Sequence, residues 1–271
     1  MSLRKIVAGA LVFLTFFALP LSALAFERLP MQMEEIQNAR QAQELADQLE
    51  AKVEYLLVTD AAYAKELARA EEIAAQIFED KRRRDAALNT RTASIGATDM
   101  TIQAVPWGSL LTGDVMHINN KKFFNIYAMY YSHSGIYNGS NTVYESNSDG
   151  VKVLPLSSWQ QGQPVALGYT KNKSYSQVTS ALTWAKNTYG TNGRTPYNWN
   201  FLNKTTDSAL YCSQLVWKMH QHMAVNVDSN HWSYSAFLTA KVGLTGTTFA
   251  YAAVAPDEVY LSSNIIYYHA N

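Results

Sequence analysis

Residues 133–145 read HSGIYNGSNTVYE, two short runs of β-branched and aromatic residues with Asn and Gly between them. The runs 133–137 and 142–145 have the composition of strands, and 138–141 is typical of a hairpin turn. One of the three registers that a loop of two to four residues allows places His133 directly opposite Glu145, where the carboxylate can orient the imidazole. In the other two registers Glu145 points to the other face unless a β-bulge intervenes.

More strands are predicted on both sides of this hairpin. Residues 112–118 read as a turn followed by a strand, and 151–155 as a third short strand after the hairpin. The aromatic connection 123–131 is predicted to be partly helical. His117 alternates with Val115 on its strand, which favours a packed or hydrogen-bonded histidine. It is also the alternative third catalytic residue if Glu145 points away.

The lone cysteine opens an apolar stripe with helical spacing. Asp207 or Ser208 is a natural N-cap, which places Cys212 in the first turn of the predicted helix. A helix N-terminus favours the thiolate, and a nearby histidine lowers the pKa of the thiol further and serves as its base. The alternative is that Cys212 is a core residue of the stripe, whose other members are Leu215, Val216, Met219 and Met223.

Three motifs in this order resemble a known family. They are Gly113-Asp114-Val115, the run 133–137 followed by Tyr144-Glu145, and Tyr211-Cys212-Ser213-Gln214-Leu215-Val216-Trp217. Together they resemble the permuted papain-like cysteine hydrolases of the YycO and YiiX type, relatives of NlpC-type cell-wall peptidases and of lecithin–retinol acyltransferase-like enzymes. The histidine precedes the cysteine, as in the permuted order. The resemblance covers roughly residues 105–265.

The resemblance implies an α+β fold, a permuted papain-like domain with an antiparallel sheet and the cysteine helix packed against it. It implies Cys212 as nucleophile, His133 as general base and Glu145 as the orienting residue. The backbone N–H of the nucleophile is then an oxyanion donor.

Other implied features concern the substrate groove and the closing strand. Tyr211 beside the nucleophile is expected to wall the pocket. The loop 196–201, which includes Tyr197 and Trp199, resembles the aromatic loop that lines the substrate groove, and 254–260 resembles the closing strand.

The chain divides into three parts. Residues 1–25 read as a cleaved signal peptide, with Arg4 and Lys5 before an apolar run and Ala23-Leu24-Ala25 as the cleavage site. Residues 26–93 are expected to form a helical coiled-coil or hairpin segment, and 94–271 the hydrolase domain. No later run reaches the ~18 apolar residues of a membrane span, so a secreted, periplasmic or cell-envelope protein without a stable span is expected.

The helical segment lacks glycine after residue 31 and carries an apolar seam with coiled-coil spacing from residue 39 to 77. Only Asp60 interrupts the seam, and Thr59-Asp60 as an N-cap would divide the segment into a hairpin. Self-association through the seam is a further expectation. The basic run 81–84 is interpreted as a solvated helix end, with a binding site for anionic polymer or lipid as the alternative.

Composition excludes several other classes. Lys+Arg and Asp+Glu both number 22, and the resulting net charge of zero argues against a nucleic-acid partner. A single cysteine excludes a disulfide framework and a multi-cysteine metal site. His220 and His222 point about 200° apart on a helix, so with Asp228 and His231 they do not predict a metal site. No phosphate-binding loop is present, and no cofactor is expected.

We therefore expect an exported cysteine amidase or peptidase that cleaves an amide bond in cell-wall peptide through an acyl-enzyme. One alternative keeps the fold and acts on a lipid ester or acyl group, as a hydrolase or acyltransferase. The other is a catalytically inactive exported binding or scaffold protein. A polar groove favours the amidase, and an apolar pocket beside Cys212 favours the enzyme that acts on lipid. A buried Cys212 far from His133 favours the binding or scaffold protein.

Overall fold

The computed structural model describes residues 36–89, 105–120, 123–161 and 164–271, which form helices and one six-stranded sheet. In chain order the elements are α1 (Ala39–Thr59), α2 (Ala61–Leu88), β1 (Val115–Ile118), β2 (His133–Gly139), β3 (Thr142–Asn147), β4 (Gly150–Pro155), β5 (Val165–Thr170), α3 (Tyr175–Tyr189), α4 (Cys212–His222), α5 (Trp232–Ala252), α6 (Pro256–Leu261) and β6 (Ile265–Ala270). Short 3₁₀ turns lie at Trp107–Ser109, Phe123–Tyr127 and Leu156–Ser158. The signal peptide and the boundary near residue 93 lie outside the described residues.

The sheet has the strand order β4-β3-β2-β1-β5-β6, and every neighbouring pair is antiparallel. The α+β prediction with an antiparallel sheet is therefore confirmed. The four strands expected from residues 112–155 are present as β1 to β4. Both β2 and β3 are inner strands, with a paired strand on each side.

The β2–β3 hairpin differs from the expected register and still keeps the expected faces. Its turn residues are Ser140 and Asn141, both with positive φ, so Gly139 pairs with Thr142. A β-bulge between Tyr137 and Gly139 then shifts the register, and Ile136 pairs with Tyr144. This register places His133 and Glu145 on one face as diagonal neighbours, not directly opposed. The bulge is required, because the turn alone would leave them on opposite faces.

The two faces of the sheet are covered differently. The helices pack on one face, where Val115, Ile136 and Tyr144 enter the larger core. The opposite face carries a smaller cluster around Met116, Val143 and the fully buried Trp159. His133 and Glu145 alternate with the residues of the larger core along their strands and therefore belong to the smaller-cluster face.

The expectation of a closing strand at 254–260 is wrong. Pro256 begins helix α6 instead, with Asp257 and Glu258 in its first turn. Proline suits the first position of a helix, and acidic side chains there favour the helix dipole. The closing strand is β6, ten residues further along the chain, at the edge of the sheet.

The helical segment consists of two helices that meet at Asp60, whose carboxylate accepts from the N–H groups of Ala62 and Tyr63. The predicted N-cap at Asp60 is confirmed. Most of the apolar seam is buried in the same core as the sheet and the other helices. The contacts run from α1 to the turn 123–127 and from α2 to α5 and β6. Self-association stays a prediction, and it would have to use another surface of these helices.

The reading of 81–84 as a solvated helix end is wrong for Lys81, which is 3% exposed. Its Nζ donates to Asp85 Oδ2 at 2.6 Å and to the carbonyl of Ile265 at 3.0 Å, and Asp85 Oδ2 accepts the N–H of Tyr267 at 3.1 Å. Lys81 and Asp85, called the edge pair below, thus bind backbone groups of an edge strand. Among the described residues, no helix has the length and apolarity needed to cross a membrane.

Candidate active site

Cys212 is the first residue of α4, which packs against β2 and β3. The N-cap is Tyr211, not Asp207 or Ser208, and the Gln214 side chain accepts the N–H of Tyr211 at 3.1 Å. The predicted position of Cys212 in the first turn is confirmed. Its N–H is one of the amides that have no acceptor within the helix and point outward from the N-terminus.

Two hydroxyls tie the start of α4 to its surroundings. Ser146 Oγ, next to Glu145 on β3, donates to the carbonyl of Leu210 at 2.5 Å. Ser213 Oγ donates to the carbonyl of Val254 at 2.6 Å. Because all three serine and leucine positions are buried, these bonds fix the start of the cysteine helix relative to β3.

The structure brings Cys212, His133 and Glu145 together, and we call them the Cys–His–Glu cluster. His133 Nε2 lies 3.4 Å from Glu145 Oε2. The imidazole also lies close enough to the Cys212 thiol for each group to shift the pKa of the other. Since Nε2 faces the carboxylate, Nδ1 is the nitrogen available to exchange a proton with the thiol.

Both oxygens of Glu145 are held by other side chains. Asn147 Nδ2 donates to Oε1 at 3.0 Å, and Trp159 Nε1 donates to Oε2, the oxygen that faces His133. The Trp159 ring also packs on the imidazole, with centroids 4.9 Å apart. Gly135 makes this possible, because a Cβ there would lie 2.6 Å from the Trp159 ring. Trp159 and Asn147 therefore fix the carboxylate that faces His133.

The electrostatics of the cluster favour an ion pair. Burial raises the pKa of the Cys212 thiol, but the neighbouring His133, the backbone N–H of Ser134 and Ser213 together outweigh it and lower that pKa. Burial opposes the charged imidazole, yet Glu145 and Cys212 raise the pKa of His133 above its usual value. Burial raises the pKa of Glu145. His133, Trp159 and Asn147 lower it more strongly, so the pKa of Glu145 is below its usual value. These shifts favour the thiolate, the imidazolium and the carboxylate over the neutral forms of the three groups.

A cleft of about 240 Å³ opens onto this cluster. His133 and Glu145 line it, while Cys212 is only 1% exposed and is not part of the lining. The lining combines polar and apolar side chains around these two residues. Its other members are Asn120, Ser132, Ser146, Asn147, Ser148 and Ser158, with Ile118, Leu154, Trp159 and Tyr197 as the apolar part.

The family model for the permuted papain-like amidase enzymes of the YaeF/YiiX, C92 family matches residues 109–264, more than half of the chain. The chain belongs to this family. The suspected relationship to permuted papain-like cysteine hydrolases is thereby confirmed, as is the assignment to the amidase enzymes. Comparison with curated proteins and with solved structures found no match. The edge pair and the whole of β6 lie outside the part that the C92 model covers.

Of the three residues expected to bind substrate in this C92 amidase, only Tyr197 lines the cleft. Trp199 contacts the Tyr197 ring at 4.5 Å between centroids and is not part of the lining. Tyr211 is not a wall of this cleft: its ring is buried against Phe201, and its hydroxyl accepts the N–H of Val254 at 2.9 Å. Tyr211 is an N-cap residue that follows a buried loop, and its side chain therefore points into the core.

Two other buried histidines, His117 and His220, have hydrogen-bond partners away from the cleft. His117 is buried, with Nδ1 at 2.8 Å from Ser134 Oγ and Nε2 at 2.7 Å from the Tyr267 hydroxyl. It is hydrogen-bonded as one reading expected, and it does not face Glu145. His220 Nε2 lies 2.9 Å from Thr170 Oγ1. Within the described ranges, no three His, Cys, Asp or Glu side chains are grouped so that they could hold a metal ion.

Sequence reasoning missed Trp159 and Asn147 as partners of Glu145. Asn147 sits two residues after Glu145 on β3, so its place on the same face follows from the strand period. Trp159 follows a short 3₁₀ turn after β4, and no local pattern indicates which face its ring will cover. The small residue at 135 was the only signal, since glycine inside a strand marks close approach of another group.

Proposed function

We propose that this C92 amidase is an exported enzyme that cleaves an amide bond in cell-wall peptide, with Cys212 as nucleophile, His133 as proton carrier and Glu145 as the residue that orients the imidazole. The observation that carries the assignment is the Cys–His–Glu cluster, of which His133 and Glu145 line an open cleft. A charged thiolate beside an oriented imidazolium is the resting state that acyl transfer requires.

The proposed reaction has two halves. The Cys212 sulfur attacks the carbonyl carbon, and as the carbon–nitrogen bond breaks, the His133 imidazolium gives its proton to the departing amine. The resulting thioester is then attacked by water, whose proton passes to His133 while the carbon–sulfur bond breaks. A carboxylic acid leaves, and the thiolate and imidazolium are restored. The Cys212 N–H at the helix N-terminus is a donor for the developing oxyanion.

The amide bond is proposed from the family, whose members are amidases. Six hydroxyl and amide side chains among the twelve lining residues can add hydrogen bonds to peptide or sugar groups, although Ser146, Asn147 and Ser158 also bond within the protein. The apolar part of the same cleft can contact a hydrocarbon chain, so esters of lipids are the second choice, to be tested beside peptides.

Export is proposed from the first 25 residues, where two basic residues precede an apolar run and an Ala-Leu-Ala cleavage site. Expression of the full chain in a bacterium with a Sec pathway, followed by mass measurement of the secreted product, tests this. A product that begins at Phe26 is expected. A product that keeps Met1 to Ala25 and stays in the cytoplasm would contradict it.

The activity is tested by incubation of the mature chain with purified peptidoglycan fragments, with peptide amides and with short-chain and long-chain acyl esters. New amine and carboxyl groups from the peptide substrates are expected, and none with Cys212→Ala. Turnover that persists in Cys212→Ala would remove the proposed nucleophile. Cleavage of long-chain esters with no peptide cleavage would replace the cell-wall substrate by a lipid.

A further inference from the structure

A buried chain of hydrogen bonds runs beneath the active site, on the face opposite the cleft. Its members are Tyr267, His117 and Ser134, all almost fully buried. The Tyr267 hydroxyl meets His117 Nε2 at 2.7 Å, and His117 Nδ1 meets Ser134 Oγ at 2.8 Å. The contact is fixed by the fold, because His117 and Ser134 are directly paired on β1 and β2.

This hydrogen-bond chain ends at Ser134, next to the proposed nucleophile. The N–H of Tyr137 bonds to Asp114 on the β1 side, so by strand alternation the N–H of Ser134 points to the β3 side. The pairing of β2 with β3 stops at Ile136, two residues short of Ser134, and there the Ser134 N–H lowers the pKa of the Cys212 thiol. The orientation of this N–H therefore depends on how residue 134 is held, and its side chain is held by His117.

His117 itself does not act as an acid or base. Burial, with the charges of His133, Lys81 and His220, lowers the pKa of His117 to about 3, so the ring is neutral. A neutral imidazole has one N–H and therefore donates at one nitrogen and accepts at the other. Hydrogen bonds can run in either direction along the Tyr267–His117–Ser134 chain. When His117 Nε2 is the donor, the Tyr267 hydroxyl accepts and can donate its own proton to the carbonyl of Val259, 3.4 Å away.

The far end of the chain is anchored in the helical segment. Asp85 accepts the N–H of Tyr267, and Lys81 lies over the Tyr267 ring at 5.0 Å. Tyr267 and both residues of the edge pair fall outside the region that the C92 model covers. Three buried polar side chains on the helix-covered face of the sheet cost free energy unless they are hydrogen-bonded.

We propose that Tyr267, His117 and Ser134 are positioning residues that aim the Ser134 N–H at the Cys212 thiolate, with the helical segment holding Tyr267 in place. The proposal rests on the proposed role of Cys212 as nucleophile. It gives the helical segment a supporting role in catalysis.

Full-length mature chains with Tyr267→Phe, with Ser134→Ala and with both changes test this. The readouts are the pH profile of Cys212 alkylation by iodoacetamide, kcat and KM for an amide substrate, and the melting temperature. Each single change should raise the apparent pKa of alkylation and lower kcat by about three- to tenfold, the range of one hydrogen bond, with KM unchanged. The double variant should be no slower than the slower single variant, because both break one chain.

Tyr260→Phe is the matched control. Its ring packs 4.8 Å from that of Tyr267, and within the described residues its buried hydroxyl has no hydrogen-bond partner. It should leave the alkylation profile and kcat unchanged. If Tyr267→Phe lowers the melting temperature but not the thiolate population, or if the two single effects multiply, the proposal is wrong. Should Tyr267→Phe fail to fold, Ser134→Ala alone decides by the same readout.

Alkylation reports the thiolate whatever the natural substrate is. An unaltered alkylation profile in every variant overturns the positioning role of Tyr267, His117 and Ser134 and leaves the amidase proposal intact. If the mature protein without substitutions cleaves no peptide but the alkylation shifts are as expected, the proposed substrate is overturned and the positioning role stands.

Discussion

Two buried charged groups among the described residues, the edge pair and the Cys–His–Glu cluster, differ in what completes their bonding. In the edge pair, Lys81 and Asp85 bind each other and the backbone of β6, so both charged groups have their hydrogen-bond partners inside the protein. In the Cys–His–Glu cluster the carboxylate is held by Trp159 and Asn147, while the imidazole faces both the thiol and an open cleft. We propose that the edge pair stabilises the fold and that the cluster keeps a reactive group charged.

The comparison shows that burial of a charge does not by itself indicate function. The edge pair is buried as deeply as the cluster, yet its partners are peptide groups of an edge strand that would otherwise lack acceptors and donors. The cluster contains an imidazole that can change protonation, and two of its members line an open cleft. Predictions that separate stability from reactivity therefore test the distinction.

The largest effect is expected on the reactive side, from His133→Ala. Burial, which raises the pKa of the thiol, is then unopposed by the imidazolium, so the alkylation profile of Cys212 should move to higher pH than in the native chain. Amide turnover should fall roughly a thousandfold or more, since proton transfer to the leaving amine is lost. Iodoacetamide labelling followed by mass spectrometry measures the profile, and the chain has one cysteine, so the signal is unambiguous.

An identical profile in native and His133→Ala protein would make Cys212 an ordinary core residue and favour a binding or scaffold protein. The native profile has a defined sign. Because the pKa of Cys212 is lowered and that of His133 is raised, the ion pair exists between the two values. Turnover should therefore rise with pH as the thiolate forms and fall as His133 loses its proton.

The next effect is expected on the structural side, from Lys81→Met. It leaves the Asp85 carboxylate buried without its cation, which should lower the free energy of unfolding by about 3 to 5 kcal/mol. Urea unfolding measures the loss. The control is Arg40→Met, which breaks the i,i+4 pair Arg40–Glu44 on α1, where the arginine side chain is 82% exposed. That change should cost less than about 0.5 kcal/mol. Equal losses in the two variants would show that the edge pair does not stabilise the sheet.

The two regions also differ in how far the sequence predicts them. The hairpin, the position of Cys212 at a helix start and the alternation along β2 and β3 follow from local period and turn chemistry, so the members of the cluster were predictable. Their exact register was not, because it depends on a bulge at Asn138 that compensates a turn displaced along the chain. The shared face of His133 and Glu145 survives through that compensation.

The edge pair was not predictable, because its partner is a strand almost two hundred residues away in the chain. A basic run at a helix end has the same local pattern whether it is solvated or covers a sheet edge. The prediction of a strand at residues 254–260 was wrong for a related reason. Apolar residues there fit a buried strand or a buried short helix, and Pro256 with two acidic residues was the helix signal.

Gly135→Ala sharpens the comparison through packing alone. Its Cβ would lie 2.6 Å from Trp159 and 2.9 Å from Val143, so the indole has to move away from Glu145 and His133. We expect a loss of about 1 to 3 kcal/mol in the free energy of unfolding, together with lower turnover. Gly108→Ala is the control, because nothing lies within 4 Å of a Cβ there. Unchanged turnover in Gly135→Ala would show that the contact of Trp159 with the cluster does not matter for reactivity.

The smallest effect is expected from Trp159→Phe, which removes the N–H donated to Glu145 and keeps an aromatic ring near His133. Because that hydrogen bond lowers the pKa of Glu145, its loss should weaken the carboxylate's hold on the imidazolium and reduce turnover by about three- to tenfold. Glu145→Gln, which removes the charge itself, should reduce turnover more and shift the alkylation profile of Cys212 further to high pH. If the tryptophan change has the larger effect, the indole acts on the imidazole or the substrate directly, and the carboxylate is not the residue through which it works.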